Sequence, residues 1–268
     1  MYPIIDCHCH IYPDKIAQKA TEGIGKFYNL AMEYDGRLDT LFKESDKVGI
    51  KHSLIFSVAT KPEQADSINR YIAGEVKEFP NKFTGLGAIH PDSKRIDEEI
   101  DYLLSLGLKG VKLHPDIQQI AINDKRCYKI YERLEGVAPV LLHTGDKRYN
   151  YSNPENLIPV LKDFPNLKVI GAHFGGYSIW GKVESLKGFD NLYVDCSSAL
   201  AFLTPDKAKE LVEFYGANRV LFATDFPMWN FKEEIERFEK IGLKEEEKEQ
   251  IYYKNACELF GIDQNILV

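Results

Sequence analysis

The chain has 268 residues, with 34 Lys and Arg against 41 Asp and Glu, a net charge of −7 and no clustered basic stripe. A nucleic-acid binder needs a positive footprint for the phosphate backbone, so no nucleic-acid partner is expected. No apolar stretch approaches the roughly 20 residues that span a bilayer, so no membrane partner is expected either. Cys7, Cys9, Cys127, Cys196 and Cys257 are odd in number and form no CxxC pair. With no basic-then-apolar leader before the first strand, they fit a reducing cytoplasm.

Eight apolar runs read as strands in chain order: 4–8, 52–58, 83–89, 110–114, 140–143, 168–173, 192–196 and 220–225. Most lie about 25–30 residues apart, the length of one βα unit. The segments between them read as amphipathic helices. After Arg95, apolar residues fall at Ile96, Ile100, Leu103 and Leu104, with acidic residues in the first turns and Gly107 as the stop. The helices at 62–79 and 205–214 begin with proline, which suits a first helical turn. Segment 11–37 has little strong periodicity and is expected to be a loop inserted as a lid. A closing helix is expected at 244–262. Nearly continuous Val/Ile/Leu strands joined by helical crossovers predict a parallel α/β sheet buried on both faces. The length suits one (β/α)8 TIM barrel over 1–268, with no linker or repeat dividing it.

The polar residues cluster at the strand ends. In Ile4-Ile5-Asp6-Cys7-His8-Cys9-His10, His8 and His10 stand at i and i+2 on an extended segment, so their imidazoles share a face and can converge on one ion. The same alternation turns Cys7 and Cys9 the other way, as small hydrophobes. Further apolar runs end in His114, His143, His173 and Asp225. A lone histidine there is commonly a cap or a packed side chain. Several together describe the active-site rim of a parallel barrel, at the C-terminal ends of its strands. On strand 4, Lys112 and His114 share one face, His90 ends strand 3, and His52 begins its strand on the opposite, stability face.

Asp6-x-His8-x-His10, the 110–115 run, His143-Thr144-Gly145, His173-Phe174-Gly175-Gly176, Thr224-Asp225-Phe226-Pro227 and the closing Asn255-Ala256-Cys257-Glu258-Leu259-Phe260 together resemble the amidohydrolase superfamily. More narrowly they resemble its amidohydrolase-2 branch, which includes the aminocarboxymuconate-semialdehyde decarboxylase-like proteins. The resemblance implies one divalent metal ion, zinc by its donor set, held by His8, His10, His143 and Asp225. It also implies His173 as general acid/base or electrophile, and Asp225 as both a metal ligand and the acceptor of a proton from water. Lys112 as a bridging carbamate, or His114 as an extra ligand, would support a second ion. Contact with substrate is the main expectation for Lys112, His114 and Arg148, with Arg37 and Lys147 as further loop cations.

Two reactions fit this reading. The first is hydrolysis of a small amide, lactone or related substrate by a metal-activated water. The alternative is nonoxidative decarboxylation of an unsaturated or aromatic carboxylic acid. The compact chain, with little extra sequence between strands 4 and 6, tilts the expectation to a small-substrate hydrolase. A catalytically inactive metal- or ligand-binding barrel is the third reading, and the presence of both His173 and Asp225 argues against it. A small-molecule substrate and a homodimer complete the expectations.

Overall fold

The computed structural model describes residues 2–267. Strands and helices alternate along the chain, and the structure resolves into two compact units. The first comprises the described residues up to Ile55, Phe79–Thr84 and those from Cys196 onward; the second comprises Phe56–Glu78 and Gly85–Asp195.

In the second unit, β4 (Gly87–Ala88), β5 (Val111–Leu113), β6 (Val140–Leu142), β7 (Val169–Gly171) and β8 (Leu192–Asp195) form consecutive parallel pairs. Each pair advances one βα unit in register, as Val111↔Val140, Val140↔Val169 and Val169↔Leu192. Those strands are buried throughout apart from Tyr193, the pattern of parallel strands covered by helices on both faces. The crossovers α3 (Ala65–Glu78), α4 (Ile96–Ser105), α6 (Lys125–Leu134) and α7 (Leu157–Asp163) supply the covering, with α5 (Pro115–Gln118) a single turn after β5. In α4 the buried residues are Ile96, Ile100 and Leu103, matching the predicted apolar stripe.

In the first unit, β1 (Ile4–His10), β2 (Ile50–Phe56) and β3 (Phe83–Gly85) lie in that order in one sheet. On the other side of β1, Cys7 N–H donates to Phe222 O (3.0 Å) and His10 N–H to Phe226 O (2.8 Å). Both acceptors lie beyond β9 (Val220–Leu221), and they bracket Asp225, so β1 carries that stretch of chain beside its own histidines. The helices α1 (Asp14–Tyr28), α2 (Leu38–Lys47), α8 (Pro205–Tyr215) and α9 (Phe231–Glu239) belong here. The closing helix runs as α10 (Glu245–Glu249), a π-helical turn Gln250–Lys254 and α11 (Asn255–Phe260).

The segment expected as an aperiodic loop over 11–37 contains the 15-residue helix α1. Its buried positions are Ala17, Thr21 and Gly25. They sit at i, i+4 and i+8, but they are small, so the stripe carries almost no hydrophobic signal. After the left-handed cap Asn29, the chain returns along the 226–231 segment. Tyr34 N–H donates to Pro227 O (3.0 Å), and the Tyr34 ring stacks on Phe226 and Phe231.

All five cysteines are buried thiols, and Cys7 and Cys9 are 2% and 0% exposed, packed as the strand alternation requires. No described helix is long and apolar enough to cross a membrane.

Candidate metal centre and histidine cluster

The first unit builds a donor triangle. The rings of His8 and His10 lie on one side of β1, their centroids 5.2 Å apart and their Nε2 atoms 3.3 Å apart. Asp225 Oδ1 is 3.4 Å from His8 Nε2 and 3.7 Å from His10 Nε2. An ion about 2.0–2.2 Å from each of three tetrahedral donors separates them by roughly 3.3–3.6 Å. The triangle therefore fits a small divalent ion, and two imidazoles with one carboxylate are donors that zinc and manganese both accept.

Local backbone and polar contacts hold the triangle. Asp6 is fully buried, and its Oδ1 accepts from His8 N–H (3.1 Å) and Thr224 N–H (3.0 Å), while Oδ2 accepts from the Thr224 hydroxyl. One carboxylate thus ties the strand carrying the histidines to the segment carrying Asp225. Burial pushes the Asp6 carboxyl up to about 6, against the hydrogen bonds that favour its charged form. Asp225 itself has φ 65°, in the left-handed region, where Asp is better tolerated than most residues. That turn swings its carboxylate back over β1. Ser197 Oγ is 3.1 Å from His8 Nδ1, and Ser198 Oγ donates to Asp225 Oδ2.

The second unit gathers His114, Asp116, His143 and His173, each 2–4% exposed. The His114 and His143 rings stack at 4.0 Å and 8°, and His143 Nδ1 is 3.0 Å from His173 Nε2. Asp116 Oδ2 accepts from the Ser152 hydroxyl (2.5 Å) and lies 3.5 Å from His143 Nε2, and its donor atom falls with those of His114 and His143 within 4.8 Å of one another. Desolvation raises the Asp116 carboxyl to about 6.

His173 stands on an unusual turn. His173, Phe174 and Gly175 have φ 61°, 50° and 69° in succession, and two non-glycine residues in that region cost of order 1–3 kcal/mol each. Three bonds over-determine the turn. His173 N–H donates to Asp195 Oδ1 (3.0 Å), Trp180 Nε1–H donates to His173 O (2.9 Å), and Gly175 N–H donates to Ala172 O (3.0 Å). Gly145 follows His143 and Thr144 with φ 83°, and a Cβ there would lie 2.4 Å from Gly176 C and Tyr177 N. Only glycine lets the two histidine loops approach so closely.

The remaining expected contacts have partners of their own. Arg148 forks onto buried Asp146 (Nε–Oδ1 3.0 Å) and lies 5.2 Å over the Tyr149 ring. Lys112 is fully buried, its Nζ 5.2 Å from the Phe56 ring centroid. Arg37 is exposed beside Asp35 and Asp14, and Lys147 is exposed. His90 Nδ1 accepts from Asp92 N–H (3.2 Å). His52 sits between Asn81 O (3.1 Å) and Thr84 Oγ1 (2.8 Å), a structural setting as its strand position predicts. Ser197, Ser198, Asp116 and Trp229 were not picked out by motif. The only sequence signal for them is proximity: two serines follow strand 7, and an aspartate follows His114-Pro115.

Comparison with known proteins places the chain in a family. Residues 5–262 match the amidohydrolase family model, and the chain belongs to that family of enzymes. It is 25% identical over 300 residues to the 2-amino-3-carboxymuconate-6-semialdehyde decarboxylase of Dictyostelium discoideum, covering 90% of this chain and 81% of that one. Among solved structures, it resembles an uncharacterised TIM-barrel protein from Bordetella bronchiseptica, with TM-score 0.80, 24% identity, and 97% and 99% of the two chains covered. It also resembles a dihydroxybenzoic acid decarboxylase from Polaromonas with bound manganese and 2-nitroresorcinol, with TM-score 0.77, 18% identity, and 100% and 99% covered. These likenesses show the fold, an α/β TIM barrel.

Proposed function

We propose that the protein is a metal-dependent nonoxidative decarboxylase of an unsaturated or aromatic carboxylic acid. The observation that carries the metal dependence is the buried His8–His10–Asp225 triangle, with donor atoms 3.3–3.7 Å apart. The reaction class is supported by the relatives, since the curated relative and the manganese-bound structure are both named as decarboxylases. The sequence-based preference for a hydrolase rested on chain compactness, a weaker argument than the shared activity of these relatives, and it yields to the alternative.

His8, His10 and Asp225 would hold one divalent ion, and the family resemblance adds His143 to its ligands. Zinc suits the donors, and the manganese of the Polaromonas enzyme makes that ion the other candidate. When bound, the ion supplies Lewis acidity and neutralises negative charge on the substrate. In the reaction itself, the carbon bearing the carboxylate gains a proton and its bond to the carboxylate breaks. The carboxylate leaves as CO2, and the bonding electron pair restores the conjugated system. His173 is the residue proposed to deliver that proton. Its ring is held 3.0 Å from His143, and its backbone is pinned through Asp195, so little reorganisation accompanies transfer. Lys112, His114 and Arg148 are proposed as substrate contacts, with the Arg148 guanidinium already oriented by Asp146.

The test is a panel of conjugated and aromatic carboxylic acids incubated with zinc- or manganese-loaded protein, with headspace CO2 measured against a chelator-treated control. Metal-dependent CO2 release from at least one acid is expected. Turnover of lactones or amides without CO2 release would return the hydrolase reading. Light scattering on the same preparation tests the proposed homodimer.

A further inference from the structure

We infer that Ser197, Ser198 and Trp229 are positioning residues of the metal centre, acting on it through His8 and Asp225. The inference rests on the ligand triad proposed above. Ser197 and Ser198 are consecutive and 0% and 2% exposed, and each meets a different donor residue of the triangle.

The direction of each hydrogen bond follows from donor chemistry. Trp229 Nε1–H can only donate, and it reaches Ser198 Oγ at 2.8 Å. The Ser198 hydroxyl proton must therefore point elsewhere. Two acceptors are in reach, Asp225 Oδ2 and Met228 Sδ, the latter at 3.3 Å. A thioether is a weak acceptor and a carboxylate a strong one, with charge-assisted bonds roughly twice as strong as neutral ones. The proton goes to Asp225. Ser198 adopts φ 50° to reach this position, a left-handed conformation held by these contacts. On the other ligand, the tautomer of His8 that presents Nε2 to the triangle carries its proton on Nδ1, which donates to Ser197 Oγ.

Two consequences follow for the centre. Asp225 Oδ2 accepts from Ser198, and Oδ1 is the oxygen presented beside His8 and His10. With Oδ1 facing the two histidines and Oδ2 turned to Ser198, the carboxylate would hold an ion through one oxygen. Both imidazole and carboxylate are thereby oriented by neutral hydroxyls from a single loop.

The test is metal affinity, measured on chelator-stripped protein by competition between a chromophoric chelator and Zn2+ or Mn2+. Ser198→Ala, which keeps the Cβ and removes only the hydroxyl, is expected to bind the same number of ions about 10-fold or more weakly, the usual scale for loss of such an outer contact. Trp229→Phe is expected to weaken binding less. In the double variant, Trp229→Phe should add nothing to Ser198→Ala, because its effect passes through the serine. Ser197→Ala gives an independent arm through His8, also weakening affinity, should either Ser198 variant fold poorly. X-ray absorption of the zinc-loaded Ser198→Ala variant should show a second carboxylate oxygen entering the coordination sphere. Unchanged affinity in both serine variants, or full additivity in the double variant, overturns the inference. A wild-type protein that binds no ion overturns the ligand triad itself.

Discussion

The two histidine-bearing units present the same residue type in different ways. In the first, His8 and His10 sit on a regular strand, and their donor atoms point with Asp225 at a common centre. In the second, the histidines point at one another: His114 stacks on His143, and His143 is hydrogen-bonded to His173 on a left-handed turn. Converging donor atoms suit an ion, and those of His114, Asp116 and His143 converge as well, whereas the His143–His173 contact suits holding and passing a proton. Residue identity alone does not separate the two roles; the backbone that presents the ring does.

That contrast is broken most severely at the triangle. His10→Ala removes one of three converging donors, and both metal content by elemental analysis and turnover should fall to near background. His173→Asn should lower kcat by roughly 10²–10⁴-fold, the scale of a positioned acid–base group, while metal content stays at the wild-type value. Loss of the ion in that variant would make His173 a ligand and erase the distinction between the two units.

Smaller effects sharpen the backbone side of the comparison. Gly145→Ala places a Cβ 2.4 Å from backbone atoms of Gly176 and Tyr177 at φ 83°. It should cost about 2–4 kcal/mol of stability, read by chemical denaturation. An unperturbed melting curve would mean that the two loops separate freely. His52 is the contrasting structural histidine, its burial lowering the ring to about 4. The unfolded ring takes up a proton near pH 6.5 and the folded ring only near pH 4. The stability associated with the neutral, hydrogen-bonded ring is therefore complete above about pH 6.5 and is lost as pH falls through that window. By pH 4.5 the loss should reach about 2–3 kcal/mol. His52→Gln should flatten this part of the pH profile, and an unchanged slope would assign the loss to other groups.

Much of this was legible in the sequence, for reasons that differ by residue. The His8/His10 convergence follows from a period of two on an extended segment, and Asp225 from a polar residue ending an apolar run. The order of strands followed from their spacing, and seven of the eight expected runs overlap one observed strand each, the third being divided into β3 and β4. Helix α1 was missed because its buried stripe is built from Ala17, Thr21 and Gly25, which have too little side chain to register as hydrophobic. The left-handed turn at His173 and Phe174 was missed because neither residue type favours it; it is imposed by Asp195 and Trp180. Ser198 and Trp229 meet across 31 residues of chain, a relation that no local pattern encodes. The reaction is not legible for a different cause, since chain length says little about which bond a site breaks.

The central claim is decarboxylation at a metal-dependent centre, and isotopic labelling of one accepted acid tests it most directly. Metal-loaded protein turned over in a mixture of 2H- and 18O-labelled water should release one CO2 per product. The product should carry one deuterium at the carbon that lost its carboxylate, and no heavy oxygen elsewhere. A product bearing a new 18O-labelled carboxylate, formed without CO2, would contradict the account.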